Sequence, residues 1–352
     1  MNNILVTGGA GFIGSNFIHF ILEQEPEIRI FNLDALTYSG SLQNLCCVEN
    51  NPRYHFFKGN ISDNEQTCHI LNEYKIDTIV HFAAETHVDR SITSPAQFIQ
   101  TNIVGTFNLL ETARNYWSGS NKLKRFHHIS TDEVYGTLTP NEPAWTEDIQ
   151  YTPSSPYAAS KAASDHLVRS YGHTYNLPYT ITNCSNNYGP YQFPEKLIPL
   201  IILNALENKP LSLYGDGQQI RDWLHVQDHC EAIFRILKNG TPGKSYNVGG
   251  GNQPTNLSIV EMICDLVDEM RPGTGSRRDL IQFVKDRPGH DRRYAIDSTK
   301  LQRELGWSPK HNLKNGLRET VKWYLEHRDW VTAIQKQIDY RSWIDQNYSK
   351  RQ

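Results

Sequence analysis

The chain has no apolar run that nears the ~20 residues needed to cross a membrane. Its most apolar stretch, Leu197 to Leu206, is interrupted by Pro199 and Asn204 and reads as a buried helix. No basic field is present either. Lys and Arg number 35 against 38 Asp and Glu, mixed along the sequence for a net charge of −3, which argues against a nucleic-acid partner. The six cysteines (Cys46, Cys47, Cys68, Cys184, Cys230, Cys264) form no Cys-x-x-Cys pair. That excludes the usual zinc spacing and predicts reduced thiols in the cytoplasm. Fourteen histidines invite a metal, but His127 and His128 are adjacent, and His81 and His87 lack helical i, i+4 spacing; no metal is expected. Met1-Asn2-Asn3-Ile4 enters a strand at once, which predicts no signal peptide. Internal repeats, low-complexity tracts and flexible linkers are also lacking.

What is present is alternation. Short apolar runs at Asn3–Thr7, Ile28–Asp34, Tyr54–Gly59, Thr78–Phe82, Arg125–Ser130 and Tyr179–Asn183 read as strands. Helical patterns at Ile13–Glu23, Asn64–Glu73, Ser94–Tyr116 and Ala158–Tyr175 separate them. This order predicts an α/β fold: a doubly wound parallel Rossmann sheet whose strand C-termini share one edge. After about residue 185, Pro190, Pro194 and Pro199 and the turns Gly215-Asp216-Gly217 and Gly249-Gly250-Gly251 change the pattern. We expect a dinucleotide-binding domain over 1–185. Residues 186–352 should form mainly a smaller C-terminal α/β substrate-binding domain, some segments returning to the first.

The first strand runs into Thr7-Gly8-Gly9-Ala10-Gly11-Phe12-Ile13-Gly14. Gly8, Gly11 and Gly14 suit a tight turn, close approach of backbone to a pyrophosphate and close helix packing. The helix N-terminus adds unpaired N–H groups. Asp34 ends the second strand 20 residues after Gly14, where a carboxylate would accept from a ribose 2′-hydroxyl and repel a 2′-phosphate. NAD is therefore expected. Asn60-Ile61 follows the third strand, where an adenine edge is read, and the small residues of Phe82-Ala83-Ala84 let a cofactor lie against backbone.

Tyr157 and Lys161 stand at i, i+4 on one helix face. A phenol with an ordinary pKa of ~10 is a poor base, and a nearby ammonium favours its phenolate. The strand before this helix ends in Ser130-Thr131-Asp132-Glu133-Val134-Tyr135-Gly136, two adjacent carboxyls in reach of the same cleft. On an extended strand Asp132 and Glu133 would face opposite ways, so both can serve one ligand only if the chain has already turned. Two carboxyls with separated pKa values can divide acid from base work.

On these segments the chain resembles the extended short-chain dehydrogenase/reductases, and among them the dTDP-glucose 4,6-dehydratase family. The matching runs continue through Asn183–Lys196, Tyr214–Asp228 and Asp286–Arg293. The resemblance implies tightly held, recycled NAD and a nucleotide-sugar substrate, dTDP-glucose. Tyr157 would take the 4-hydroxyl proton, assisted by Thr131 and Lys161; Glu133 would remove the C5 proton and Asp132 protonate the departing 6-hydroxyl. It implies cofactor contacts from Phe12, Ile13, Ala35, Leu36, Thr37, Thr101 and Asn187. Substrate contacts are implied for Thr86, Asn186, Lys196, Leu197, Ser212, Leu213, Tyr214, Arg221, Asn256 and the turn Asp286-Arg287-Pro288-Gly289-His290, with Asp291-Arg292-Arg293 following as further diphosphate ligands. It also implies a homodimer packed through the Ser94–Tyr116 and Ala158–Tyr175 helices, and deoxysugar supply such as dTDP-rhamnose. Asn60 departs from the pattern, standing where Asp is usual, and Thr86 replaces the commoner Ser.

Three other readings compete. A same-fold 4-epimerase or decarboxylase would use Tyr157 and Lys161 alike, but has no need of an acid for a leaving hydroxyl. A 4,6-dehydratase acting on UDP-glucose differs only in the base pocket. A non-catalytic dinucleotide-binding regulator would hold NAD without turnover.

Overall fold

The computed structural model describes residues 1–119, 124–286 and 289–336. In chain order its strands are β1 (Asn3–Thr7), β2 (Arg29–Asp34), β3 (Tyr54–Lys58), β4 (Thr78–His81), β5 (Arg125–Thr131), β6 (Tyr179–Cys184), β7 (Asn186–Tyr188), β8 (Leu211–Tyr214), β9 (Trp223–His225), β10 (Lys244–Val248) and β11 (Ile281–Val284). Seven of them form one sheet in the order β10-β6-β5-β4-β1-β2-β3, every pair parallel. The order reverses between β1 and β4, and that crevice is where a doubly wound sheet binds its ligand.

Both faces of the sheet are covered because its strands are apolar on both faces. Ile4, Val6, Ile30 and Val80 join one cluster with Phe17, Ile18 and Ile21 of the Phe12–Gln24 helix. Leu5, Phe31, Leu33 and Ile79 join the opposite one with Leu109, Leu110 and Val168. Alternate residues of one strand thus anchor different helical layers. Each such fully buried aliphatic side chain is worth roughly 1.5–3 kcal/mol of transfer free energy.

A third cluster lies under the later part of the chain, where Ile198, Ile201 and Ile202 of the Leu197–Leu206 helix meet Ile259, Ile263 and Val267 of Asn256–Met270, and Leu317 and Val321 of Leu313–Glu326. Two short parallel pairs, β8 with β11 and β7 with β9, attach to it. Late segments also reach the large sheet. β10 pairs with β6, and the Val226–Asn239 helix buries Val226, Cys230, Ile233 and Leu237 against the Phe12–Gln24 layer.

One expected helix differs in form. Over Ser94–Tyr116 the chain has a short Pro95–Phe98 turn, a wider π-helical stretch at Ile99–Gly105, then Thr106–Trp117. The widened turn brings Asn102 inward. Its amide holds Glu85 through both backbone groups, at 2.8 and 3.0 Å, and reaches Ser160 Oγ at 2.8 Å. A π segment is how a helix admits the one residue needed for such a contact.

The loop after β1 is limited by space. A Cβ on Gly14 would stand 2.4 Å from the Gly8 carbonyl oxygen and 2.8 Å from Gly9 Cα, with no flexible side chain to yield. Gly14→Ala is therefore expected to destabilise the protein by roughly 1–3 kcal/mol. Urea unfolding would measure it, and a loss under about 0.5 kcal/mol would show that the loop has slack.

Candidate active site

The cleft opens along the C-terminal edge of the large sheet. It is a cavity of about 300 Å³ lined from the glycine loop through Thr131-Asp132-Glu133 to Lys196. On one side β1 is followed by Gly8, whose left-handed φ of +73° and close approach to the Phe82–Ala83 backbone admit only glycine. Asp34 closes this side at the end of β2, accepting from Ala10 N and Leu36 N at 2.8 Å each. Burial raises its carboxyl above the usual range while those two N–H groups pull it back. No side chain caps the helix at Gly11, so its first-turn N–H groups are suited to phosphate oxygens.

Of the expected cofactor residues, Gly8, Gly11, Phe12, Ile13, Gly14, Asp34, Ala35, Thr37, Asn60, Ile61, Phe82, Ala83, Ala84, Thr101 and Asn187 line this cleft with Tyr157 and Lys161. Leu36 does not; it packs against the core beneath the Phe12–Gln24 helix. Asn60 spends its carbonyl on Ser62 N at 2.9 Å, an Asx turn that shapes the loop. Asn32 was not foreseen. It fixes the glycine loop through Gly9 N at 3.1 Å and is itself held by Tyr54 OH at 2.9 Å. A polar residue inside an apolar strand was its signal.

On the other side β5 ends at Thr131 and the chain turns at once into a 3-10 helix, Asp132–Tyr135. The Thr131 hydroxyl caps that turn, accepting from Glu133 N at 3.3 Å. The turn brings both carboxyls into one cleft. Asp132 is 2 % exposed, and its Oδ2 has no hydrogen-bond partner among the described residues. Burial, then Glu133, then Asp222, push its carboxyl well above the usual range, against the opposing pull of Arg221 and the Thr131 hydroxyl. These surroundings bias Asp132 toward its protonated form.

The Thr131 side chain lies near the Tyr157 phenol and pulls it down. The residues alone do not make it a ready base. Burial raises the phenol well above its ordinary value, and Glu133 and Cys184 add to that, outweighing Thr131. Lys161 is fully enclosed; its Nζ donates to Ile129 O at 2.8 Å and lies 3.4 Å from His128 Nε2. Burial lowers the ammonium to about 8, with Asp165 and Cys184 acting in the opposite direction. Spacing alone suggests a lysine that lowers the phenol, whereas inside the protein desolvation dominates both groups.

The expected substrate residues divide. Thr86, Thr131, Asp132, Glu133, Asn186 and Lys196 line the cleft. Leu197, Ser212, Tyr214, Arg221, Asn256, Asp286, Gly289 and His290 lie outside its lining, and Arg287 and Pro288 fall outside the described residues. Some of these meet one another: Asp286 Oδ1 is 2.6 Å from His290 Nδ1, and His290 faces the Tyr214 ring edge-on at 6.2 Å. Arg221 lies over the Tyr294 ring at 4.1 Å and donates to Asp291 O at 2.9 Å.

Three of the expected residues have other contacts within the fold. Leu213 is 1 % exposed, because strand alternation turns Leu211 and Leu213 into the core and Ser212 and Tyr214 outward. Arg292 and Arg293 are taken up by the fold. Arg292 pairs with Asp216 at 2.9 Å, and Arg293 donates to Glu142 O at 2.6 Å and to Gln253 Oε1 at 2.9 Å.

Sequence reasoning also missed Tyr38, Glu85, Cys184, Ser185, Gln192 and Phe193 in the lining. Beside them Glu195, its side chain wholly buried, meets Arg90 at 3.3 Å and His87 at 3.6 Å, and Arg90 covers the Tyr38 ring at 3.9 Å. Elsewhere, among the described residues, His225, His311 and Glu319 bring ligand-type atoms within 4.8 Å. The rings there stack at 4.0 Å, and His311 Nδ1 is 3.0 Å from Asp228 Oδ1. The Asp228 carboxylate raises the His311 imidazole.

Residues 5–320 match the family model described as GDP-mannose 4,6 dehydratase. The chain is 54% identical to the dTDP-glucose 4,6-dehydratase of Salmonella typhimurium, over 99% of each chain. It superposes with a TM-score of 0.86 at 46% identity on the dTDP-glucose 4,6-dehydratase of Bacillus anthracis solved in complex with NAD, covering 95% of this chain and 100% of that one. For the enzyme of Streptomyces venezuelae, also with NAD bound, the score is 0.88 at 44% identity, covering 94% and 99%.

The buried environment of Asp132 has a direct spectroscopic consequence. At pH 7 the infrared spectrum should hold a protonated-carboxyl band that Asp132→Asn removes. A spectrum unchanged by that substitution would mean that Asp132 is ionised and cannot begin as an acid.

Proposed function

The chain belongs to the dTDP-glucose 4,6-dehydratase family, and from that premise we propose that it converts dTDP-glucose to dTDP-4-dehydro-6-deoxy-glucose with loss of water. The observation that carries this reading is the turn at Thr131, which presents Asp132, its carboxyl raised by burial, beside Glu133 in the cleft of Tyr157 and Lys161. An epimerase has no use for that acid. NAD suits the glycine cradle, where a Cβ at Gly8 would strike the Ala83 backbone. When bound it accepts one hydride and later returns it, so it leaves each cycle unchanged.

The side chains then divide the proton work. Gly8–Gly14 and Asp34 would hold the cofactor, and Lys161 would serve its ribose. The Tyr157 oxygen takes the proton of the sugar 4-hydroxyl while Thr131 Oγ1 steadies the same oxygen; the cationic cofactor supplies the field that burial denies the phenol. A ketone at C4 acidifies the C5 proton, which Glu133 removes. Asp132 protonates the departing 6-hydroxyl, so that water and not hydroxide leaves. Glu133 finally returns its proton to C5. Thr86, Asn186 and Lys196 border the sugar, and the Tyr214, Arg221 and His290 region receives the nucleotide diphosphate.

We also assign a homodimer. Ile99, Val104 and Phe107 are 39–47% exposed on one helical run, and Tyr175 is 48% exposed at the end of the Pro156–Tyr175 helix. Large apolar side chains grouped in this way mark an interface. Six free cysteines suit a reducing cytoplasm, and the product suits deoxysugar supply.

Mass spectrometry of dTDP-glucose incubated with the purified protein should show loss of one water without net NADH; an unchanged mass would sink the reading. UDP-glucose in parallel reports the nucleotide preference. Tyr157→Phe should abolish the first oxidation, falling at least about 10²-fold, whereas Asp132→Asn should spare it and slow water loss. Equal loss of both steps in both variants would refute the division of roles. Phe107→Glu should halve the mass seen by light scattering, and a variant that stays dimeric would place the interface elsewhere.

A further inference from the structure

Beneath the catalytic lysine lies a buried chain of groups that the proposed proton transfers do not use. Tyr157, Lys161 and Asp165 follow one another at four-residue spacing on the Pro156–Tyr175 helix, one stripe facing β5. From β5, His128 stands between the last two. Its Nε2 is 3.4 Å from Lys161 Nζ and 3.3 Å from Asp165 Oδ1. All three are at most 4 % exposed. The other oxygen of Asp165 is fixed by Ser130 Oγ and Tyr151 OH at 2.9 Å each and by Asn183 Nδ2 at 3.3 Å. Such a carboxylate is ionised and immobile, and its partners hold it below its ordinary range despite burial.

We infer that Asp165, acting through His128, is a positioning residue that fixes the Lys161 ammonium under the cofactor and keeps it charged during turnover. This rests on the dehydratase reading above. An isolated ammonium in such a place would shed its proton. The groups facing it from every side are mostly neutral or cationic. His81 on β4 is lowered by burial first and then by His128 and Lys161, and His128 on β5 is lowered to about 4 by burial first and then by Lys161, against the opposing pull of Asp165. Cys184 on β6 is a thiol pushed up to about 12. Arg169, one turn beyond Asp165, donates to Tyr151 OH at 2.7 Å and adds positive charge. Asp165 supplies the opposing negative charge. His128 Nε2 lies within reach of both groups but, in a neutral ring, donates to Asp165 or accepts from Lys161 and not both. The carboxylate therefore acts on the ammonium through its charge across the ring, and the ammonium keeps a donor for the site above.

The sign of the effect follows. Lys161 must be protonated for turnover, so the rate falls on the alkaline side as it loses its proton, near 8 in the protein alone. Asp165→Asn keeps the size and an acceptor oxygen but removes the charge, and should move that alkaline limb down by about one pH unit or more. Tyr151→Phe removes a donor to the same carboxylate and leaves its charge. It should lower Tm without moving the limb. A purely structural Asp165 predicts a lower Tm and an unmoved limb in both variants, which would overturn the inference. If Asp165→Asn does not fold, His128→Gln carries the same expectation, and an unmoved limb there overturns it equally. The pH dependence of NAD affinity, read by fluorescence on the same proteins, should shift likewise without needing turnover. A wild type that binds NAD but never dehydrates dTDP-glucose therefore defeats the proposed function alone, and the affinity midpoints still decide the role of Asp165.

Discussion

Everything in this site depends on where one strand stops. β5 carries its hydrogen-bond ladder to Thr131, and the next residue already belongs to a 3-10 turn capped by the Thr131 hydroxyl. Had the strand run on by two residues, Asp132 and Glu133 would point to opposite faces of the sheet, one of them into an apolar layer. The cap is a weak bond, worth about 1 kcal/mol, but it decides which cleft two charges share. The same hydroxyl touches Asp132 and Tyr157, so the group that ends the strand also links the acid to the phenol.

Burial then sorts the protons. Asp132 is dry, lies next to Glu133, and feels Asp222, which is itself raised to about 7; burial first, and then these neighbouring carboxyls, favour its protonated form. Tyr157 and Lys161 are both moved toward their neutral forms by the same dryness. A cleft built this way is a poor base until a cation enters it and a capable acid from the outset. The order of the chemistry, oxidation before elimination, thus has an electrostatic counterpart in the resting protein.

Much of this was legible in the sequence, for reasons that can be named. β1 and the Asn64–Glu73 helix have the predicted bounds, since an apolar run ended by a glycine turn, or begun by a capping Asp63, marks its own limits. The parallel order followed from alternation. β10 was not legible as a sheet strand: Lys-Ser-Tyr-Asn-Val is short and mixed, and only its position beside β6 gives it a partner. The π-helical widening at Ile99–Gly105 was hidden because its cause, Asn102 reaching Ser160, spans 58 residues. Arg292 and Arg293 looked like phosphate ligands because composition cannot tell a cation facing a ligand from one facing Asp216 or a carbonyl. Asp165 was readable in principle: it extends the Tyr157–Lys161 stripe by one more turn, but its meaning needed His128 from another element.

The proposed cycle also constrains its own restart. It begins with Tyr157 deprotonated and Asp132 protonated, and ends with the reverse, since the phenol has gained the 4-hydroxyl proton and the carboxyl has lost one to water. Glu133 ends as it began. The two states hold the same number of protons, so the enzyme needs no net exchange with solvent, only one transfer between two side chains. Between those two side chains lies the Thr131 hydroxyl, which donates to Asp132 Oδ1 at 3.4 Å and also acts on the Tyr157 phenol. A hydroxyl both donates and accepts, which a valine of the same shape at that position would not do. The residue that turns the strand is therefore also the shortest path by which the acid can be reloaded, and the geometry that unites the two carboxyls is the geometry that closes the proton count.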